Sequence, residues 1–450
     1  MISLADSFAF LDNPSINWKY VIVSFSVGQY LFENYLQYRQ YQVLKKTAPP
    51  ASLKAEITQE TFDKSQTYSR AKSQFSFFSN AFGFLQNLAF IKYDLLPAIW
   101  NFSGTLVAKS AFFLPKFMGG VITQSIFFFT TTQIISTIVS APLSYYSNFV
   151  LEEKYGFNKL TVGLWISDML KGIALGFVLG SPVVAGFLKI IDYFGDSFIF
   201  YTMGFILFVQ LVGMTIYPIL IQPLFNKFTP LEDGKLKVAI EDLAKKNAFP
   251  LDSLFVVDGS KRSSHSNAYF VGLPWSKKIV LFDTLIDHST IDEVVAVLAH
   301  EIGHWKLNHL PKTLIATQAH LFMTFSLFSA FIHNKSLYSS FGFNTQPTII
   351  GFLLFNDIFS PLESAMQFAM NLLSRKHEYE ADAYAKSCGY SENLSVSLIR
   401  LSTENLSAFD ADWLYSAYHH SHPILSERLT ALGYVSTGKV VKETKEVKED

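Results

Sequence analysis

The sequence predicts a mainly α-helical, polytopic membrane protein. Seven transmembrane helices surround a hydrated chamber, and a small α/β unit sits between the fifth and sixth. Three observations predict this. Half of the 450 residues are hydrophobic and only 16% are charged, with 44 phenylalanines, a composition that points to membrane spans. Seven apolar stretches are separated by polar loops. Finally, Glu33, Asp94, Asp168, Lys171, His320, Asp357 and Glu363 lie in or near those stretches. Each would cost several kcal/mol if it faced lipid, so together they imply a hydrated interior. A transporter would carry the same feature. The formal net charge of −1 gives no sign of a nucleic-acid partner. Cys388, the single cysteine, excludes intramolecular disulfides and a cysteine-based zinc site.

The first span covers residues 17–38 and is followed by a basic loop through Lys45, Lys46, Arg70 and Lys72. The second covers 73–106, with Lys92 and Asp94 near its middle, and the third covers 117–140, stopping near Pro142. Residues 151–158 are too polar for lipid. Spans four and five follow at 165–191 and 198–221. From 226 to 308 the chain reads as a soluble α/β unit, with an amphipathic helix over 233–246 and strands at 254–257 and 279–282. A third strand falls at 266–272. Spans six and seven cover 314–332 and 348–373. The division is therefore 1–225 (five spans), 226–308 (soluble unit), 309–373 (a hairpin of two spans), 374–432 (a polar helical segment) and 433–450 (a Lys/Glu-rich tail expected to be disordered).

Orientation follows from lysine and arginine. Seven lie between Arg39 and Lys72, many more follow span five, and the other loops hold few. The N-terminus is then luminal, while the soluble unit and C-terminal segment are cytosolic. The opening residues lack a basic region and contain Asp6, so the first span reads as an uncleaved anchor. The last four residues form neither a prenylation nor a luminal retention signal.

The chemistry-bearing stretch is His300-Glu301-Ile302-Gly303-His304. Histidines four apart on a helix face the same way, so both imidazoles can bind one Zn²⁺. Glu301 then stands as a general base beside a metal-held water. A charged helix with two surface histidines is the plain alternative. The apolar run 291–299 argues against it, because it holds the histidines on a buried, rigid helix.

A catalytic zinc needs a third protein ligand and an open position. Glu378 and Asp382 share a helical face just after span seven, so one can ligate while the other orients a histidine. His377 and Glu380 lie off that face. An isolated glutamate would read as solvated, but the hairpin of spans six and seven returns Glu378 to the surface carrying His300. Downstream, His419, His420 and His422 precede Pro423, and adjacent ring directions seldom converge on a metal. His422 suits a donor to an oxyanion. His419 and His420 read as surface residues.

With these residues placed, the chain resembles the type I CaaX prenyl proteases, integral-membrane zinc endopeptidases of the endoplasmic reticulum. The resemblance rests on His-Glu-Ile-Gly-His at 300–304, Ser-Arg-x-x-Glu-x-x-x-Asp at 374–382, Ser-His-Pro with a following arginine at 421–428, and the stretches 263–270 and 143–161. It implies a HExxH gluzincin-type unit with one Zn²⁺ per chain, held by His300, His304 and Glu378. Glu301 and His422 would be catalytic, with Asp382 and Arg428 behind the ligands. It implies a substrate whose C-terminal cysteine carries a farnesyl or geranylgeranyl group, cut after that cysteine to release three residues. In fungi, the same family also cuts a mating-pheromone precursor upstream. Asn267, Ala268 and Tyr269 form a candidate edge for an extended substrate, with an interior strand equally open. Membrane lipid is the other expected partner. The location implied is the endoplasmic reticulum membrane, with the inner nuclear membrane as a variant. A quality-control protease without prenyl preference would share every catalytic residue, and a zinc transporter is the remaining alternative.

Overall fold

Helices account for nearly all of the membrane-compatible sequence. The computed structural model describes residues 7–110, 112, 120–273, 276–436 and 438. Residues 117–119 of the expected third span and residues 437 and 439–450 of the expected disordered tail lie outside them. The helices are α1 (Trp18–Val43), α2 (Gln59–Lys92), α3 (Leu95–Ser110), α4 (Val121–Tyr146), α5 (Val162–Phe194) and α6 (Phe198–Ile216), with π-helical turns extending α4 and α6. After the soluble unit come α10 (His309–Phe328), α11 (Lys335–Ser340) and α12 (Thr348–Ser387). Extended α4, α5, extended α6 and α12 are each long and apolar enough to cross a membrane. The chain is a multi-pass membrane protein.

One sequence expectation is corrected. The stretch 73–106 is not one helix: α2 ends at Lys92 and α3 starts at Leu95. Asp94 between them has φ 52°, a left-handed conformation that breaks the hydrogen-bond ladder. Its carboxylate accepts from Lys19 Nζ at 2.5 Å, and Pro97, lacking an N–H, fits the first turn of α3. The apolar run alone could not reveal this break.

Most of the charges flagged inside apolar stretches have partners. Glu33 faces His419 at 3.3 Å, and Glu363 faces His320 at 2.9 Å. Arg262 donates twice to Asp168, at 3.0 and 3.2 Å, and Lys171 donates to the Leu224 carbonyl at 2.8 Å. These links offset the cost of removing charge from water. The Asp168–Arg262 pair also ties α5 to the soluble unit. At the opposite end of the helices, an aromatic-rich core including Trp18, Phe128, Phe198, Phe328, Tyr338 and Phe355 locks α1, α4, α6 and α10–α12 together.

The soluble unit holds a four-stranded sheet made of β1 (Phe228–Pro230), β2 (Leu251–Val257), β3 (Ala268–Leu273) and β4 (Ser276–Phe282), in the order β1-β2-β4-β3. β2 and β4 run parallel and the other pairs antiparallel. β1 escapes the sequence pattern because three residues ending in proline carry no alternation. The helix α7 (Lys235–Lys246), the short α8 (Asp283–His288) and α9 (Ile291–Lys306) cover the sheet. Ile240, Leu243, Ile279, Leu281, Leu285, Val294, Leu298 and Ile302 form their shared core. After α12 come α13 (Ser391–Glu404), α14 (Trp413–His419) and α15 (Leu425–Leu432).

Two of these elements position the site. At 40 residues, α12 is about 60 Å long, twice the hydrocarbon thickness, so its C-terminal turns leave the membrane. There it crosses α9 at Gly303. A Cβ on Gly303 would lie 3.1 Å from Ala381 Cα and 3.1 Å from Tyr384 Cβ. Replacing Gly303 by valine should therefore destabilise the crossing by about 1–3 kcal/mol, with alanine costing less. Thermal unfolding of the purified variants checks this, and equal melting temperatures for Gly303→Val and wild type would contradict the close packing.

Candidate metal centre

The helix α9 starts at a capping box. Thr290 Oγ1 accepts from Glu293 N at 3.4 Å, and the Glu293 carboxylate accepts from Thr290 N at 2.9 Å. Arg400 of α13 donates to Glu293 at 3.2 Å, pinning this end. Val294, Val295, Leu298 and Ile302 bury one face of the helix. The adjoining face presents His300, Glu301 and His304 to a cavity of about 300 Å³.

Across the crossing, α12 presents Glu378 and, one turn on, Asp382, 4% and 1% exposed. His300 Nε2 lies 3.1 Å from His304 Nε2 and 3.5 Å from Glu378 Oε2, while His304 Nε2 lies 3.3 Å from Glu378 Oε1. Nitrogens and oxygens bound tetrahedrally at ~2.0–2.1 Å are spaced about 3.3–3.4 Å apart. The separations are of that size, the two to Glu378 running to its two different oxygens, and one ligand-capable atom from each of the three residues lies within 4.8 Å of the others. Glu378 Oε2 is buried without a hydrogen-bond partner, 3.5 Å from His300 Nε2. These residues fit a metal ion.

Behind the cluster, His300 Nδ1 is 2.8 Å from Asp382 Oδ1. An N–H there leaves the Nε2 lone pair aimed at the centre. Arg428 of α15 donates to both Asp382 oxygens, at 2.9 and 2.6 Å, and stands 3.6 Å from Glu378. Arg428 Nη2 also approaches His300 Nδ1 at 3.3 Å. Both groups are donors, so the Asp382 bond is the real one. His422, in the loop before α15, places Nε2 3.3 Å from Glu378 Oε1.

The electrostatics follow from these contacts. Burial opposes charge on His300, but the adjacent carboxylates of Asp382 and Glu378 outweigh it and push its pKa up to about 9. Burial pushes Glu301 up from the ordinary carboxylate range, against the pull of the two histidines. For Glu378, burial again favours the neutral acid, yet His300 and His304 overcome it and hold the carboxyl well below its usual range. Without metal, the cluster thus keeps a proton where a cation fits.

The same cavity is lined by Asn267, Ala268, His422 and Arg428. β3 lies at the sheet edge, bonded on one side to β4. Tyr269 does not join Asn267 and Ala268: its hydroxyl accepts from Gln222 at 2.8 Å and its ring packs edge-on against Phe282. Alternation along a strand sends consecutive side chains to opposite faces. Leu285, Val297, Leu394, Leu398 and Leu401 make an apolar wall that the sequence did not single out. Their helical spacing marks them as buried, without saying beside what. His309, His377 and Glu380 form a second group, with ligand-capable atoms within 4.8 Å of one another.

Residues 40–227 match the CAAX prenyl protease N-terminal domain with five membrane helices, and residues 230–436 match peptidase family M48. The chain belongs to peptidase family M48. That makes it a membrane metalloprotease. It is 54% identical to CAAX prenyl protease 1 of Saccharomyces cerevisiae, covering 95% of this chain and 98% of that protein. Against the human CAAX prenyl protease 1 homolog the identity is 40%, over 91% and 94% of the two chains. The crystal structure of Ste24p from S. mikatae superposes with a TM-score of 0.88 at 55% identity, covering 93% of this chain and all of that one.

The raised pKa of His300 sets a pH dependence. Its folded value of about 9 exceeds the usual 6.5, so this interaction stabilises the metal-free fold fully below pH 6.5 and is lost as pH rises through 9. In excess chelator, melting temperature should fall across that window. Asp382→Asn should flatten the fall, and a wild-type curve that rises there would contradict the His300 assignment.

Proposed function

We propose that this protein is a zinc endopeptidase that removes the C-terminal three residues from prenylated CaaX proteins. A second, upstream cleavage of a farnesylated mating-pheromone precursor belongs to the same reading. The convergence of His300, His304 and Glu378 beside Glu301, in a chain similar to CAAX prenyl proteases along nearly its whole length, carries the proposal. We further read seven spans, with the N-terminus luminal and the site cytosolic, in the endoplasmic reticulum or inner nuclear membrane. A polar cavity of about 710 Å³, lined by Gln37, Gln40, Lys72, Asn405 and His422, fits a hydrated chamber leading to the site.

His300, His304 and Glu378 would hold the ion. Zinc there supplies a Lewis acid that activates water near neutral pH and polarises the scissile carbonyl. Glu301, whose pKa is raised by burial, takes the proton of the attacking water and passes it to the leaving amine. His422 donates to the oxyanion that develops on the carbonyl oxygen. Arg428 neutralises Asp382, and Asp382 fixes the ring of His300. The Asn267–Ala268 backbone at the sheet edge receives the extended substrate, while the apolar wall excludes water.

Digesting one prenylated CaaX peptide with purified protein, read by mass spectrometry, tests the reading. Release of the tripeptide, its loss in chelator and much slower cutting of the unprenylated peptide are expected. Equal cutting of both peptides would favour a quality-control protease. Glu301→Gln should retain metal and lose activity at least about 10²-fold. Glu378→Ala should lose metal, and full activity in that variant would refute the third ligand.

A further inference from the structure

The two histidines facing the metal position are supported differently. His300 is held directly by Asp382, whereas His304 meets another histidine. Its Nδ1 lies 2.9 Å from Nδ1 of His309, with the rings 77° apart. His309 is 3% exposed, and its Nε2 lies 3.0 Å from Glu380 Oε2. Local backbone geometry creates the contact. The helix α9 ends at Lys306, Asn308 adopts φ 56°, and the chain turns at once into α10, which starts at His309. Asparagine tolerates that left-handed conformation better than most residues. The turn swings His309 back beneath His304.

Proton accounting assigns the roles. If His304 offers its Nε2 lone pair to the metal, its Nδ1 carries the hydrogen and donates. His309 Nδ1 must then accept, so its hydrogen is on Nε2, donated to Glu380. Every hydrogen and lone pair along His304–His309–Glu380 is matched. A second metal on His309, His377 and Glu380 fails the same test. A metal at His309 Nε2 would put the hydrogen on His309 Nδ1, leaving His304 to accept there while ligating through Nε2, which requires an imidazolate. The rings of His309 and His377 are also stacked, 4.2 Å apart and 8° from parallel. Their in-plane lone pairs therefore lie in separate planes.

We propose that His309 is a positioning residue, which orients the ring and fixes the tautomer of His304 through a hydrogen bond backed by Glu380. The proposal rests on the reading of His304 as a metal ligand. Metal-ligating histidines commonly donate their second N–H, and removal of the acceptor typically costs 10–100-fold in metal affinity or activity.

Full-length His309→Ala, His309→Asn, Glu380→Ala and His304→Ala, purified in detergent, provide the test. Zinc affinity is measured by competition with a chelator, and the cobalt-substituted proteins are compared by visible absorption. His309→Ala should bind zinc about 10–100-fold more weakly, shift the cobalt bands and lower kcat more than it changes KM. His309→Asn, whose Oδ1 can accept from His304 Nδ1, should restore most of the affinity and the bands. Glu380→Ala should give a smaller loss in the same direction, and stays informative if His309→Ala does not fold. Wild-type affinity and spectrum in His309→Ala or Glu380→Ala would overturn the proposal, as would failure of a folded His309→Asn to recover them. Undiminished zinc affinity in His304→Ala would instead sink the ligand assignment beneath it.

Discussion

The site depends on the crossing of α9 and α12. Its two walls come from residues more than seventy positions apart, and they meet where Gly303 lets Ala381 and Tyr384 approach so closely that a Cβ would lie 3.1 Å from each. Once the helices are that close, the helical repeat does the rest. Residues 300 and 304 share one face of α9, and 378 and 382 share one face of α12. Nothing else need be flexible. The capping box at Thr290 and the Arg400–Glu293 bond fix the start of α9, and the Asp168–Arg262 pair fixes the unit against the membrane helices.

Charge balance explains why the crossing holds this combination of groups. Glu378 and Asp382 are buried carboxylates one turn apart and would repel each other in a low-dielectric interior. Arg428 offsets Asp382 through two hydrogen bonds and stands 3.6 Å from Glu378, so its one positive charge faces two carboxylates. Two imidazole lone pairs facing each other at 3.1 Å add to the demand for a positive centre. The raised His300 pKa and the depressed Glu378 carboxyl are two sides of this one demand, met by a proton in the absence of a cation.

What was legible in the sequence follows from the range of each signal. The spacing of His300 and His304 is local and survives into the structure as written. Glu378 was read from an expected hairpin of two spans, which would return the chain to its starting surface, and in the structure it stands beside His300 and His304. His309 was not singled out, because its place under His304 depends on one left-handed residue at a helix junction. An asparagine just before a histidine, five residues beyond His304, was the available signal. The break at Asp94 was hidden for a similar reason: hydropathy sees an apolar run, not a backbone angle. Tyr269 was grouped with its neighbours by sequence, and strand alternation separates them.

The supports of the two histidines complete the logic of the crossing. The deeper, His300, is backed by an ionised carboxylate that carries its own arginine, so its donor strength is set by a compensated charge. His304 is the more exposed of the two, with 21% of its side chain accessible against 7%, and lies in the last turn of α9. A carboxylate directly behind it would add another negative charge to Glu301, Glu378 and Asp382 with no second arginine on the described residues around the centre. A neutral imidazole that passes the hydrogen bond outward to Glu380 avoids that. Glu380 is about a third exposed and 3.8 Å from Lys376, where water and the lysine bear the charge at little cost. The proposed relay thus orients the second ligand while keeping its compensating charge at the surface.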